Sequence, residues 1–413
     1  MKRLVLHTAC LGIAAMMVTV AAFGGGFQLN EHGARAMAQA GAFAARASDA
    51  SAIYFNPAGL AFQTQGEIYL GTTFIMPKVT FYGPISDAND PAIQNASKMV
   101  SQTFTPINLY ATYPATEDLH VGLGVMNPYG LGTEWDPTWV GKYITTKVDL
   151  QSFYYTPTVA YKLSDKLAVG AGLDIVTGTV KLQQALNVVN TDTRVTIDMK
   201  TKTAYGFNVG IQYKINPEWR FGASYRSAVK MDASGTATFD PQFPLAALNV
   251  VNDDVTSSLK LPATAFVGLS YKATPQLELE ADYQFIGWSS YKQLEIDFKN
   301  DPTKNITSPK NYSDTYIIRV GGEYTMDAFQ FRAGYLYDHS PVSAAYVEPL
   351  LPDANRNGVN VGLGYRITNQ ISVDVSYMFL KFDQAKAVNT KINFDGTYNA
   401  NANLIGIDVG YTF

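Results

Sequence analysis

After the polar turn Thr274-Pro275-Gln276, the chain reads Leu277-Glu-Leu-Glu-Ala-Asp-Tyr-Gln-Phe285. Apolar residues occupy the odd positions and acidic or amide residues the even ones, which is the period of a β-strand with one apolar face. The apolar face ends in two aromatic residues, whereas the polar face carries three carboxylates. The two faces must therefore meet very different surroundings.

Five other stretches repeat this arrangement of a polar turn followed by strict alternation. They begin at Leu119, Leu167, Trp219, Phe329 and Ile371. Tyr and Phe lie at or near the strand ends on the apolar faces, as they do in the aromatic girdles of membrane barrels. The strands also exceed the roughly 5–6 residues of a typical soluble strand and reach the roughly 9–11 that a tilted strand needs to cross a bilayer. A soluble sandwich would also alternate, but aromatic placement and strand length favour a membrane barrel.

Tight turns alternate with long polar segments along the chain, which is typical of outer-membrane barrels. The long segments are predicted at 81–102, 131–147, 185–198, 239–256, 300–312, 340–357 and 385–400. The strands are predicted at 66–80, 103–115, 119–130, 148–163, 166–182, 199–215, 218–238, 258–273, 276–298, 313–325, 328–339, 358–367, 370–383 and 401–413. We therefore predict an all-β transmembrane fold, a 14-stranded antiparallel outer-membrane β-barrel over residues 65–413. Tyr411 and Phe413 in its last strand are interpreted as the signal that the barrel assembly machinery recognises.

The composition agrees with this fold class. The chain has 413 residues, of which only 16% are charged, against about 25% in soluble domains. The apolar content of 47% excludes a disordered chain, and the net charge of -4 disfavours a nucleic-acid-binding protein. Mean hydropathy is -0.04, as expected when apolar residues face lipid and polar residues face a lumen.

The N-terminal segment reads as a signal peptide, predicted over residues 1–24. A basic dipeptide precedes an apolar run, and small residues follow. Cleavage is expected after Ala22 or after Gly24, and the sequence leaves both open. A retained anchor is the alternative, but three consecutive glycines interrupt the run where an anchor would continue. No other run reaches the roughly 18 apolar residues of a membrane-spanning helix. Cys10, the only cysteine, lies in this segment, so the mature chain is expected to form no disulfide.

Residues 25–64 do not alternate and are rich in small residues. The sequence predicts short helical turns here, one of them over Ala52–Phe55 after a polar cap. A lumen enclosed by fourteen strands is too wide for wall side chains to fill, so we predict an N-terminal hatch, or plug, inside the barrel. A periplasmic extension is the alternative. The charged hatch residues expected to pair with the wall are Glu31, Arg35, Arg46 and Asp49.

A series of motifs follows in order along the chain. They are Gly26-Phe27-Gln28-Leu29-Asn30-Glu31, Asn56-Pro57-Ala58, Asn127–Trp135, Tyr225–Lys230, Gly287-Trp288-Ser289, Asp338–Val342 and Leu351-Pro352-Asp353. Together they resemble the FadL/TodX (OmpP1) family of outer-membrane transporters of hydrophobic compounds. The resemblance covers nearly the whole mature chain.

The resemblance implies a monomeric barrel and passive uptake of long-chain fatty acids or other hydrophobic compounds. The implied path leads from an extracellular groove to an inner pocket and then sideways through an opening in the wall at strand 3, predicted at 119–130. It also implies that Phe27 and Leu29 occupy the pocket in the resting state. Asn56, Pro57 and Ala58 are interpreted as a hatch turn that is held against the wall and can move. A rigid turn that ends a helix is the alternative, since the residue before a proline avoids helical geometry.

The residues of strand 3 supply a physical reason for such an opening. Pro128 cannot donate a ladder hydrogen bond and belongs at edges or bulges of a sheet. Asn127, Pro128, Tyr129 and Gly130 are therefore predicted to kink the strand and to leave hydrogen bonds of the wall unmade. The alternative is that these residues begin the loop 131–147.

The identity of the ligand stays open at this point. A carboxylate would need a basic partner in the lumen, and the candidates are Lys181, Arg226, Lys230, Lys292 and Arg319. The sequence places none of them there, so aromatic or other neutral hydrocarbons are the alternative ligands. A general porin or a structural barrel is the alternative function.

Catalytic chemistry is not expected. His339 and Ser340 are adjacent on a strand, where neighbouring side chains point to opposite faces, which disfavours a hydrolase. Asp353 begins a segment that imitates half of a calcium loop, but the twelfth position is Gly364 rather than Glu. We predict no enzyme activity, no cofactor, no metal and no nucleic-acid partner. The expected partners are a hydrophobic ligand, outer-membrane lipids and the barrel assembly machinery.

Overall fold

The computed structural model describes residues 25–83, 96–188, 191–240, 251–389 and 391–413. The predicted signal peptide, residues 1–24, lies outside the described residues. Among the described residues, no helix is both long enough and apolar enough to span a membrane.

Fourteen antiparallel strands pair in chain order into one closed sheet, because the last strand also pairs with the first along its whole length. They are numbered here as strand 1 Glu67–Tyr82, strand 2 Ile107–Pro114, strand 3 Leu119–Met126 and Gly130–Glu134, strand 4 Lys147–Lys162, strand 5 Leu167–Val188, strand 6 Thr191–Thr201 and Ala204–Lys214, strand 7 Trp219–Arg226 and Val229–Asp240, strand 8 Asp253–Leu261 and Thr264–Lys272, strand 9 Leu277–Ile286 and Gln293–Phe298, strand 10 Thr315–Met326, strand 11 Phe329–Asp338, strand 12 Arg356–Arg366, strand 13 Ile371–Phe382 and strand 14 Gly396–Thr412. Short strands add to the rim at Ala96–Lys98, Ile306–Pro309 and Ala385–Ala387. The predicted 14-stranded barrel is confirmed.

The two faces of strand 9 behave as its alternation predicts. Leu279 and Tyr283 point outward with 44% and 46% of their surface exposed, as lipid-facing side chains do in a membrane barrel. Glu280 and Asp282, on the other face, are only 4% and 3% exposed. The polar face is therefore covered from inside the barrel.

The outer segments of strands 6 to 9 continue as a sheet of their own. Thr191–Thr201 pairs with Val229–Asp240, which pairs with Asp253–Leu261 and through it with Gln293–Phe298. They enclose a separate apolar cluster that includes Ile197. The predicted loop 185–198 was therefore wrong, because most of it belongs to strands 5 and 6. Its alternating apolar residues pack into this cluster rather than onto lipid.

Residues 25–64 form the hatch inside the barrel. It contains two short helices, Ala34–Ala38 and Ala52–Phe55, and a 3-10 helix, Pro57–Phe62. The predicted helical turn over Ala52–Phe55 is present. In the polar segment before it, Asp49 Oδ1 accepts the amide of Ser51 at 2.9 Å. Nearly all the described hatch residues up to Ala61 are buried.

Glycines on the inner wall let the hatch backbone approach closely. A Cβ atom at Gly222 on strand 7 would lie 2.1 Å from the carbonyl oxygen of Ala44, and one at Gly170 on strand 5 would lie 2.5 Å from the carbonyl carbon of Pro57. Any larger residue would push the hatch away from the wall. These strand glycines are therefore contact positions for the plug.

Buried ion pairs join the hatch to the wall. Arg35 and Arg46 both contact Glu323 on strand 10, at 3.1 and 3.2 Å, and Arg46 Nε lies 2.8 Å from Glu280 Oε1. Two of the four hatch residues that were expected to pair with the wall make contacts within the hatch. Glu31 accepts the amide of Asn30 within the hatch at 3.0 Å, and Asp49 lies 4.0 Å from Arg35 of the hatch.

Candidate ligand-binding site and exit

Strand 3 is interrupted at Asn127–Tyr129. Met126 lies opposite Tyr154 of strand 4, whereas Gly130 lies opposite Gln151. Four steps along strand 3 therefore match only three along strand 4, so the interruption contains one extra residue, which is the definition of a β-bulge. The strand then resumes through Glu134 instead of entering a loop at residue 131.

Beyond the bulge, strand 3 has a strand ladder on one side only among the described residues, with a single bond on the other side, from Val100 N to Glu134 O at 2.7 Å. Its inner half pairs with strands 2 and 4, but in the described residues the Gly130–Glu134 half forms a ladder with strand 4 alone. The side chain of Asn127 replaces part of the missing ladder, since its Oδ1 accepts the Ile107 amide at 2.8 Å and its Nδ2 donates to the Ser152 carbonyl at 2.7 Å. The wall thus has a gap in its ladder between strands 2 and 3.

The start of the hatch, Gly25–Asn30, covers this gap from inside, and we call it the hatch arm. Leu29 N donates to Pro128 O at 2.8 Å, and Gly130 N donates to Phe27 O at 3.0 Å. These two bonds form an antiparallel bridge between Gln28 and Tyr129. The hatch arm therefore takes the place of the missing neighbour strand.

Phe27 projects from the hatch arm into a group of aromatic rings. Its ring centroid lies 4.5 Å from that of Trp288, 5.7 Å from Tyr291 and 6.3 Å from Tyr129, each pair edge-to-face. Edge-to-face pairs each contribute roughly 0.5–1.5 kcal/mol beyond the burial of their area. Gly26 turns the chain here with φ of 68°, and a Cβ atom on it would lie 2.5 Å from the Trp288 ring.

Phe27 also lines an inner pocket with a cavity volume of about 70 Å³. The other lining side chains are mostly apolar and come from strands 3 to 9 and from loops; among them are Leu131, Leu150, Met199, Met231, Leu259 and Leu351. Ligand sites for molecules of drug size usually measure about 300–1,000 Å³. The resting pocket is therefore nearly filled by protein side chains.

An outer groove of about 520 Å³ adjoins this pocket. Leu182, Leu294 and Leu350 line both spaces. So do Lys310 and Glu348, which form an ion pair with side chains only 3% and 7% exposed. A buried ion pair in apolar surroundings thus marks the junction of groove and pocket.

The basic residues expected to hold a carboxylate lie elsewhere. Lys181 and Lys230 are on the outer segments and contact Asp198 and Asp232, with 42% and 66% of their side chains exposed. Arg226 is buried against Asp174.

The remaining two candidates also lie outside both spaces. Lys292 is exposed, and the buried Arg319 donates from Nη2 to Asn30 Oδ1 at 2.9 Å. None of the five lines the pocket or the groove as described. Sequence reasoning missed Lys310, which lies in a segment predicted to be an ordinary polar loop.

The turn Asn56-Pro57-Ala58 is tied on both sides. Asn56 Nδ2 donates to Ala44 O of the hatch at 2.9 Å and to Ile211 O of strand 6 at 3.0 Å, while its Oδ1 accepts the amide of Ala58 at 3.2 Å. Pro57 begins the 3-10 helix, where no amide donor is needed. The structure thus holds this turn firmly against the wall.

Leu29, the other residue expected in the pocket, is 1% exposed but does not line the cavity. Its role in the structure is the backbone bond to Pro128.

At the far end of the barrel, Phe413 is 48% exposed and stacks on Tyr411 at 6.0 Å.

The two motifs weighed for other chemistry have structural partners. His339 Nδ1 lies 3.2 Å from Thr315 Oγ1, whereas Ser340 Oγ donates to Asp353 Oδ2 at 2.8 Å. Asp353 also accepts the amide of Gly26 at 3.1 Å. The His339-Ser340 pair is therefore divided between two networks, and Asp353 holds the hatch arm.

Comparison with known proteins places this architecture. The model of the family described as outer membrane protein transport protein (OMPP1/FadL/TodX) matches residues 15–413. The chain belongs to this family. FadL/TodX proteins are outer-membrane transporters of hydrophobic compounds, so the chain is an outer-membrane protein of that class.

Relatives and solved structures match it along nearly their whole length. The long-chain fatty acid transport protein of Salmonella typhi is 24% identical, over 98% of this chain and 98% of that protein. The structure of a Pseudomonas aeruginosa FadL homologue superposes with a TM-score of 0.83 at 20% identity, over 94% of this chain and 100% of that one. The Ralstonia pickettii toluene transporter TbuX gives a TM-score of 0.69 at 19% identity, over 92% and 98%. At these identities the two structures show the shared fold.

Proposed function

We propose that this chain is a passive channel for the uptake of long-chain fatty acids, which pass from the outer groove to the inner pocket and leave through the wall at strand 3. One observation carries the proposal. The hatch arm joins the two places, since the side chain of Phe27 lines the pocket and its carbonyl bonds to Gly130 beside the gap. Moving that one residue would open the pocket and the wall together.

A sideways exit also requires less free energy from an apolar molecule than a path through water does. Below the hatch lies a polar cavity of about 710 Å³, lined by charged residues that include Arg35, Arg46 and Glu323. Exposing apolar surface to water costs about 25 cal/mol per Å², whereas lipid outside the wall makes no such demand. We also propose that the protein works as a monomer surrounded by outer-membrane lipids.

The head group of a fatty acid would meet the ion pair at the junction. A carboxylate can replace Glu348 as the partner of Lys310, because charge-assisted bonds of the same kind are exchanged. The same pair favours a second candidate, a neutral aromatic hydrocarbon, because Lys310 is already neutralised. The names of two similar proteins, a fatty acid transporter and a toluene transporter, support one ligand each.

A binding experiment separates these ligands. The double variant Lys310→Met/Glu348→Gln removes both charges together and so leaves no lone buried charge. We expect it to bind a long-chain fatty acid at least tenfold more weakly, by about 1.4 kcal/mol, and to bind the methyl ester and toluene as the unaltered protein does. Lys299→Met, in an exposed pair with Asp254, is the matched control.

The outcomes are distinct. Unchanged binding of the acid in the double variant would contradict a head-group role for Lys310. Binding of toluene but not of the acid by the unaltered protein would replace the first candidate by the second. Mass spectrometry of compounds that copurify with the barrel gives an independent answer, and steady small-ion conductance in a planar bilayer would indicate a general porin instead.

A further inference from the structure

A buried acidic site surrounds the start of the hatch arm. Gly25 N donates to Asp338 Oδ2 at 3.2 Å, and Gly26 N donates to Asp353 Oδ2 at 3.1 Å. Trp288 Nε1 donates to Gly25 O at 2.7 Å. Both carboxylates are only 1% exposed. Two buried acids are thus committed to the first two residues of the hatch.

This site is short of positive charge. Its carboxylates are Asp338, Asp353 and the nearby Glu31, and its guanidiniums are Arg356, which binds Asp338, and Arg319, which also faces Asp282. Three negative groups therefore face two positive ones among the described residues. Burial raises the pKa of Asp353 to about 7 despite the attraction of Arg356, as expected where a carboxylate lacks sufficient opposite charge.

Two acceptor atoms in the site also have no donor. Asp338 Oδ1 and Asp353 Oδ1 are buried without a hydrogen-bond partner in the described structure. Asp338 Oδ1 is so close to Gly25 that a Cβ atom there would lie 2.7 Å from it. Leaving a buried charged acceptor without a donor destabilises the folded state, because the acceptor loses its hydration and gains nothing in return. A small cationic group at Gly25 with several N–H donors would supply a partner for Asp338 Oδ1 and add the positive charge that the site lacks.

We infer that the mature chain begins at Gly25 and that its α-ammonium group binds between Asp338 and Asp353. A free amino terminus carries one positive charge and three N–H donors at neutral pH, whereas a peptide amide carries one donor and no charge. The group thus supplies the missing charge and donors together. Cleavage after Ala22 would leave Gly25 with a neutral amide and leave the site uncompensated.

The processing step is the hydrolysis of one peptide bond by a signal peptidase. Water adds hydroxyl to the carbonyl carbon of Gly24 and a proton to the nitrogen of Gly25, which gives a carboxylate and, after protonation, an ammonium. Small residues at Gly24 and Ala22 suit such an enzyme. The cleavage position then determines whether the hatch arm, with Phe27 two residues further on, is anchored by an ion pair.

Intact-mass measurement of the protein purified from outer membranes tests the first half of the inference. We expect a chain that starts at Gly25, and a chain that starts at Phe23 would overturn it. The second half is tested by the rate at which an amine-reactive reagent labels the α-amino group of the folded barrel at neutral pH. We expect labelling about tenfold slower than for an exposed amino terminus, since each unit of raised pKa removes nine-tenths of the reactive amine.

Asp353→Asn isolates the charge, because it retains an acceptor of the same shape. We expect the α-amino group of this variant to label several times faster, while Asp254→Asn, which alters an exposed extracellular pair, leaves the rate unchanged. Folding of each variant is checked by heat-modifiable mobility on gels. Equal labelling rates in the unaltered protein and in a folded Asp353→Asn variant would contradict the ion pair.

Discussion

The backbone amide of Leu29 donates a hydrogen bond of 2.8 Å to the carbonyl of Pro128. Leu29 belongs to the hatch and Pro128 to the bulge in strand 3, and the bond between Gly130 and Phe27 completes the pair. The hatch arm and the break in the wall are therefore a single hydrogen-bonded unit. Displacing the arm would uncover the one stretch where strand 3 lacks a second strand ladder in the described wall.

Deleting Pro128 should remove the bulge and make strand 3 continuous. Because the interruption contains one residue more than strand 4 opposite it, this deletion makes the register continuous without moving the rest of strand 3 to the other face. We expect uptake of a hydrophobic ligand to fall at least tenfold, about 1.4 kcal/mol, in a barrel that still folds. Transport into cells and gel mobility of the folded protein measure the two effects.

Pro128→Ala is the matched control for this deletion. It restores an amide donor but keeps the extra residue, so the bulge should persist and most of the uptake should remain. If the deletion variant is folded and takes up ligand at the normal rate, a lateral exit at strand 3 is excluded.

Removing the ring of Phe27 should raise the affinity for ligand. The resting pocket has only about 70 Å³ free, so a ligand must displace side chains, and truncating a packed Phe removes roughly 3–5 kcal/mol of local packing. In Phe27→Ala we expect tighter binding and faster amide exchange of the hatch arm. Phe207→Ala, on the exposed outer face, is the control, and unchanged affinity in Phe27→Ala would show that this ring does not occlude the pocket.

The barrel could be predicted from sequence because its rule is local. A residue such as Leu279 faces lipid and its neighbour Glu280 faces the hatch, so alternation over a few residues reveals both surfaces. Closure then follows from repeating this pattern with short and long turns. The outer segment at Thr191–Thr201 was not predicted because its apolar face packs against the outer segments of strands 7 to 9 rather than onto lipid. Those partners are distant in sequence, so the local pattern does not show them.

The site could be predicted only in part, because its contacts are distant in sequence. Pro128 revealed the break in strand 3 by its missing donor, but nothing near it showed that Leu29 would bind there. Lys310 and Glu348 meet only when two loops fold over the pocket. Conversely, Arg319 has the right charge and faces the lumen, yet it is buried against the hatch, where its Nη2 donates to Asn30.

Phe413 should matter for assembly more than for the folded barrel. Its ring is 48% exposed. Its backbone amide donates to Gly66 O at 2.9 Å, and this bond does not depend on the side chain. We expect Phe413→Ser to lower the amount of barrel in outer membranes several-fold and to leave refolding in detergent nearly unchanged. Phe331→Ser, equally exposed within strand 11, is the control. An equal loss in both measurements would indicate a structural role instead of an assembly signal.

Glu323 should hold the hatch in place. It accepts from Arg35 at 3.1 Å, from Arg46 at 3.2 Å and from Arg332 at 2.6 Å, so Glu323→Gln leaves guanidiniums without their shared counter-charge. Removing one partner of a buried pair typically costs about 3–5 kcal/mol. We expect faster amide exchange throughout the hatch and intermittent ion conductance, because the plug can then shift. Asp240→Asn, in an exposed pair with Arg194, should change neither, since exposed pairs contribute little. Full hatch protection in a folded Glu323→Gln variant would mean that packing against the wall, rather than charge, retains the plug.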